Sequence, residues 1–140
     1  MEADVRSENE RIKHLEFIQA TIARLGNNVF LIRGWSVTAT GVLLAVSVQV
    51  DQWRIATLAL LIGLGFWALD GFYLRRERMF RRLYDDAALH RPPRVPLFSM
   101  DTRPYLSSVP WTGALFSDSV MMVHLPVLTV DVAVACVLAF

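Results

Sequence analysis

The sequence predicts an all-α membrane protein with three transmembrane helices, the first two forming an antiparallel hairpin that extends into the cytoplasm. Three observations carry this fold class. Of 140 residues, 54% are hydrophobic and the mean hydropathy is +0.40, too apolar for an ordinary small soluble domain. Three windows approach the ~20 apolar residues a helix needs to cross ~30 Å of hydrocarbon. The basic residues also cluster beside two of those windows instead of spreading evenly.

Residues 1–28 form the first element, an amphipathic helix. Ile12, Leu15, Ile18 or Gln19, Ile22 and Leu25 recur at helical spacing, with charges on the other side. This stretch holds Arg, Glu and Lys throughout and no apolar core of signal-peptide length, so the chain is expected to keep its N-terminus. Gly26, Asn27 and Asn28 can break or kink the helix at the membrane surface, or the helix can run straight into the first span. His14, two residues before Glu16, reads as half of a polar surface pair.

Transmembrane helix 1 is assigned to residues 29–50 and transmembrane helix 2 to residues 53–74, with 51–52 left as a tight turn. Residues 75–88 contain no Gly or Pro and continue the second helix as a basic extension. Residues 89–118 form a proline-rich interfacial loop. From His90 to Ser117 it has five prolines, which exclude a regular helix over most of its length, and its aromatic residues suit the membrane surface. Residues 119–140 complete the set as transmembrane helix 3.

Orientation follows from Lys and Arg. Arg6, Arg11, Lys13, Arg24 and Arg33 precede or open the first span, and Arg75, Arg76, Arg78, Arg81 and Arg82 follow the second. The turn between the spans offers only Arg54. The positive-inside bias therefore puts the N-terminus and residues 75–118 in the cytoplasm. The net charge of +1 says little beside that local clustering.

Two carboxylates stand inside apolar sequence. Across a two-residue turn, residues of an antiparallel pair at equal depth have numbers that add to about 102–104, and Arg33 and Asp70 satisfy this. A lone ion at a helix centre costs about 2.5–3.5 kcal/mol on insertion scales, so Asp70 is expected to meet Arg33 as a structural ion pair. That reading is preferred to a proton relay, because an Arg partner holds a carboxylate ionised. Arg24 and Glu77 come close to the same relation and extend the expected pairing. Asp131, near the middle of the third span, has no basic residue in that span. His124 lies seven positions earlier on the same face, and around an assembly of several copies the two would be pore-lining. The bland alternative is a hydrogen bond from Asp131 to a neighbouring helix. Pro126 can kink that helix.

Small residues suit close helix contact: Gly34, Thr38, Gly41 and Ala45 on the first span, and Ala56, Gly63 and Gly71 on the second. The run Arg75, Arg76, Arg78, Arg81 and Arg82 reads as a lipid or partner contact. Lipid is preferred because a basic cluster is expected at any inside boundary, and no nucleic-acid motif accompanies it. Cys136 is the single cysteine, which excludes an internal disulfide and a cysteine-cluster metal site. No phosphate-binding loop, HExxH or nucleophile elbow is present, so neither an enzyme nor a cofactor is expected.

The blocks KHLEFIQATIARLGNNVFLIRGWSVTATG (13–41), ALDGFYLRRERMFRRLYD (68–85) and PLFSMDTRPY (96–105) resemble a widespread family of small uncharacterised bacterial membrane proteins. In size and layout the chain is also similar to small transmembrane effectors of anti-phage defence systems. The likeness in layout implies a bacterial inner-membrane protein that disrupts the membrane when a partner senses infection, while the unpaired Asp131 and the small-residue stripes point to an oligomer. The expected partners are thus the lipid bilayer, further copies of the chain and a soluble cytoplasmic sensor. The alternative is a non-conducting membrane scaffold subunit that docks a soluble partner.

Overall fold

A computed structural model describes residues 2–89 and 95–140; His90 and the rest of 90–94 lie outside the described residues. Among those described, all regular structure is helical: α1 (Glu2–Val50), α2 (Trp53–Ala88), α3 (Trp111–Leu115) and α4 (Asp118–Ala139), with a 3₁₀ turn at Arg103–Tyr105. Helices α1, α2 and α4 are each long and apolar enough to cross a membrane.

α1 runs without a break through Gly26, Asn27 and Asn28. A single Gly costs a helix about 1 kcal/mol, which packing along α2 readily offsets. Of the two alternatives at residues 26–28, the helix that runs straight into the first apolar window is the one found. Asp51 closes the helix in the left-handed region at φ 51°, and the Gln52 N–H returns to the Ser47 carbonyl at 3.0 Å. α2 then runs back along α1: Arg33 meets Asp70, and further from the turn Ile18 shares a core with Met79 and Leu83.

The seam on α1 is built from Val29, Ser36, Thr40 and Ser47, all buried, at alternating steps of seven, four and seven that keep one face toward a partner. Gly34, Thr38, Gly41 and Ala45 fall on another face and are exposed. Their spacing gave a helix contact stripe but not which contact it serves.

At about 1.5 Å per residue, α1 is about 73 Å long and α2 about 54 Å, against about 33 Å for α4. The hairpin thus projects well past α4, and there it forms a lobe with its own core. Ile18, Met79, Leu83 and Ala87 are joined by Val95, Tyr105 and Val109 from the segment between α2 and α4. Side chains of α2 substitute for the ladder bonds this irregular segment lacks. Arg75 Nε donates to the Val109 carbonyl at 2.9 Å, Arg78 Nη1 to the Gly113 carbonyl at 2.7 Å, and Trp67 Nε1 to the Leu115 carbonyl at 3.0 Å. The Tyr105 hydroxyl donates to Asp86 at 2.9 Å. His14 is buried, not a surface residue: its Nε2 lies 3.0 Å from the Ser99 carbonyl. Phe98, folded back at φ 63°, covers its ring at 5.8 Å between centroids.

Gly71 sets how closely α3 approaches α2. A Cβ there would stand 2.8 Å from Leu115 Cδ2 and 3.3 Å from its Cα, so backbone as well as side chain would have to move. Gly71→Val is expected to destabilise by about 1–3 kcal/mol, the usual range for overpacking. It should loosen residues 95–117 first, seen as faster limited proteolysis in that segment. Unchanged cleavage would show that α3 does not depend on this contact.

Candidate functional site

Two helices bring one residue each to the carboxylate of Asp70 on α2, which is fully buried. Arg33 Nε of α1 donates to Oδ2 at 2.8 Å, with Nη2 3.4 Å from Oδ1. His124 Nε2 of α4 lies 3.1 Å from the same Oδ2. Arg33 Nη2 also reaches the Ser119 hydroxyl at 3.4 Å. One carboxylate therefore ties all three long helices together, with its ionic partner supplied by α1 and its second polar contact by α4.

Asp131 is the second buried carboxyl, and neither of its oxygens has a hydrogen-bond partner. It sits where α2 carries Gly63: a Cβ at that glycine would lie 3.2 Å from Asp131 Oδ2, 3.1 Å from Leu128 Cδ2 and 3.5 Å from Thr40 Cγ2. The glycine leaves the room the carboxyl occupies. Gly63 lies about 16 Å along α2 from the turn and Asp70 about 27 Å, so Asp131 is level with the middle of the apolar part of α2. Beside it, a crevice of about 250 Å³ opens between α1 and α4, lined by Val37, Gly41, Leu44, Val127 and Val130 with Asp131 at its base.

Further polar groups fall on the same interior line. The Thr40 hydroxyl donates to the Ser36 carbonyl at 2.8 Å, and the Ser47 hydroxyl to the Leu44 carbonyl at 2.9 Å. The Ser36 hydroxyl and His124 Nδ1 are buried without partners. From the Asp70 level to Ser47, the bundle axis therefore carries polar side chains at successive depths.

The residues anticipated from sequence are distributed as follows. Arg33 and Asp70 meet. Arg24 and Glu77 do not: Arg24 donates to the Thr21 hydroxyl at 3.3 Å, and Glu77 accepts from Arg81 of its own helix at 2.6 Å. Equal depth does not guarantee a shared face, and the partner one helical turn away is the nearer one. His124 and Asp131 are both buried in the single chain, 1% and 0% exposed. Both lie in the interior among the three long helices, and His124 is engaged by Asp70 at 3.1 Å. Of the five arginines after the second span, Arg75 and Arg78 are used to hold the 106–113 backbone. Arg76 lies over the Phe72 ring at 5.3 Å, Arg81 pairs with Glu77, and Arg82 is exposed.

Outside the spans, Arg103 donates to Asp101 through Nε and Nη2 at 2.8–3.0 Å. These side-chain bonds, with the Arg103 backbone N–H, hold the Asp101 carboxyl below its ordinary range. The contribution to the 3₁₀ turn is present at neutral pH and is lost as pH falls through that lowered value.

No protein-family model, curated protein or solved structure matches this chain.

Proposed function

We propose that this protein resides in a bacterial inner membrane, with its N-terminus and residues 75–118 in the cytoplasm. There it assembles in several copies and permeabilises the membrane to protons or small cations, as an effector of anti-phage defence. The observation that carries the reading is Asp131: a fully buried, unpartnered carboxyl near the middle of the spanning layer. A carboxyl so placed is costly and is characteristic of ion and proton pathways. The path runs along the interior polar line of each protomer, through the α1/α4 crevice, and not between rings of outward-facing residues. Assembly is supported by Gly34, Thr38, Gly41 and Ala45, which stand open on α1. A Cβ at Gly34 or Gly41 would meet nothing within 4 Å, so another helix can approach there. The cytoplasmic side is supported by the Lys and Arg bias, and the defence role by the likeness in layout to small transmembrane effectors.

The test is proton and potassium flux from liposomes holding the wild type or Asp131→Asn, with the oligomeric mass measured by native mass spectrometry. The wild type should leak well above empty vesicles as an assembly of four or more copies, and the near-isosteric Asn should lower flux about tenfold or more, which corresponds to a barrier raised by about 1.4 kcal/mol. Equal flux in the two, or a stable monomer, would overturn the reading.

A second reading is favoured by a separate observation, the packed lobe beyond α4. Its core and the open groove lined by His14, Phe17, Phe98 and Met100 suit a scaffold subunit that docks a soluble partner. In that case Asp131→Asn is tolerated, while disruption of the lobe abolishes activity.

A further inference from the structure

The arginines of α2 carry more charge than the structure neutralises. Arg75 and Arg78 donate to backbone carbonyls, which are neutral acceptors, and Arg76 lies over an aromatic ring. Among the described residues, only Arg81 of this run has a carboxylate bonded to it, Glu77. Arg82 is exposed and makes no hydrogen bond or ion pair with the described residues. Arg78, Arg81, Arg82 and Asp85 of α2 line a half-open cavity of about 420 Å³ together with Ser108 and Gly113.

The depth of this cavity identifies its occupant. The turn at one end of the hairpin carries Asp51, Gln52 and Arg54, so it belongs in a headgroup layer. A bilayer is about 40–45 Å thick including headgroups, and Arg78 lies about 39 Å along α2 from the turn. That is the level of the opposite headgroups. Trp111, where α3 begins, packs against Phe72 at 6.3 Å and lies under Arg75 at 5.9 Å, the expected place for an aromatic residue at the membrane surface.

We infer that the cavity between α2 and the 108–113 segment binds the phosphate of an anionic lipid headgroup. Arg82 and the free N–H groups of Arg78 would take the phosphate oxygens, since a planar guanidinium matches phosphate in a way a point charge does not. Ser108 only walls the cavity, since its one hydroxyl hydrogen is donated to the Tyr105 carbonyl at 2.8 Å. Asp85 is an acceptor for hydroxyls on the headgroup, which favours a glycerol head over a carboxylate-bearing one. The site is independent of whether Asp131 conducts. The shared chemistry is a phosphate anion, and a free phosphate ester is the other source to be separated.

The full chain is purified from nanodiscs of mixed phosphatidylcholine and phosphatidylglycerol, and bound lipid is counted by native mass spectrometry. Arg82→Gln is compared with Arg76→Gln, which removes equal charge from outside the cavity. Selective retention of phosphatidylglycerol is expected, reduced roughly tenfold by Arg82→Gln, as for loss of a hydrogen-bonded charge. Arg76→Gln should lower it by less than about fivefold, the effect of one surface charge. Equal retention by wild type and Arg82→Gln, or equal losses in the two Arg variants, would overturn the site. Binding of glycerol 3-phosphate that depends on Arg82, with no lipid retained, would keep the anion site and overturn its lipid source.

Discussion

Asp70→Ala is expected to destabilise the protein by about 3–5 kcal/mol, the range seen when one member of a buried ion pair is removed. The cost arises less from the lost attraction than from what is stranded. The Arg33 side chain is only 23% exposed, and within an apolar layer its guanidinium would keep just the Ser119 hydroxyl at 3.4 Å. His124, 1% exposed, would lose the one partner of its ring, since Nδ1 already has none. A double-mutant cycle separates pair energy from stranding. Arg33→Met with Asp70→Leu should be markedly more stable than Asp70→Ala alone, because no uncompensated charge remains. Unfolding in detergent followed by circular dichroism reads both. A loss below about 1 kcal/mol for Asp70→Ala would mean that water or lipid headgroups reach Arg33 freely, and that the carboxylate does not hold the three helices together.

The contrast between Asp70 and Asp131 shows what sequence could and could not convey. The Arg33 to Asp70 pair was legible because a two-residue turn fixes the relative depth of α1 and α2, leaving only the facing to chance. That remaining freedom defeated the extension to Arg24 and Glu77. His124 was missed as a partner of Asp70 because the long segment between α2 and α4 sets no depth for α4. Its place on the same face as Asp131 was legible, but not which interior that face enters. One signal was available: His124 follows the polar start of α4, Asp118 and Ser119, by about a turn and a half, much as Asp70 precedes the basic run of α2. The burial of His14 was invisible, since it depends on Phe98 folding back from more than eighty residues away.

The lobe beyond α4 was underestimated from sequence, because its core is assembled from three separated stretches of which none looks like a domain alone. Leu83 lies at its centre and is fully buried, in contact with residues contributed by α1 and by the segment around Tyr105. Leu83→Ala is therefore expected to cost about 2–5 kcal/mol, transfer and cavity terms together. Because the spanning layer is held separately by Asp70 and by the Gly63 contact, the loss should be local. Hydrogen exchange should rise in residues 10–25, 79–88 and 95–109, with little change in α4. Uniform acceleration through α4 would show that lobe and spans unfold as one unit. The local outcome also supplies a functional discriminator. Flux carried by Asp131 in the spans should survive Leu83→Ala under conditions where the spans stay folded, whereas capture of a soluble partner by the lobe should not. Loss of both activities with the spans intact would mean that the lobe controls the interior path, coupling signal reception at one end of the long helices to the carboxyl at the middle of the other.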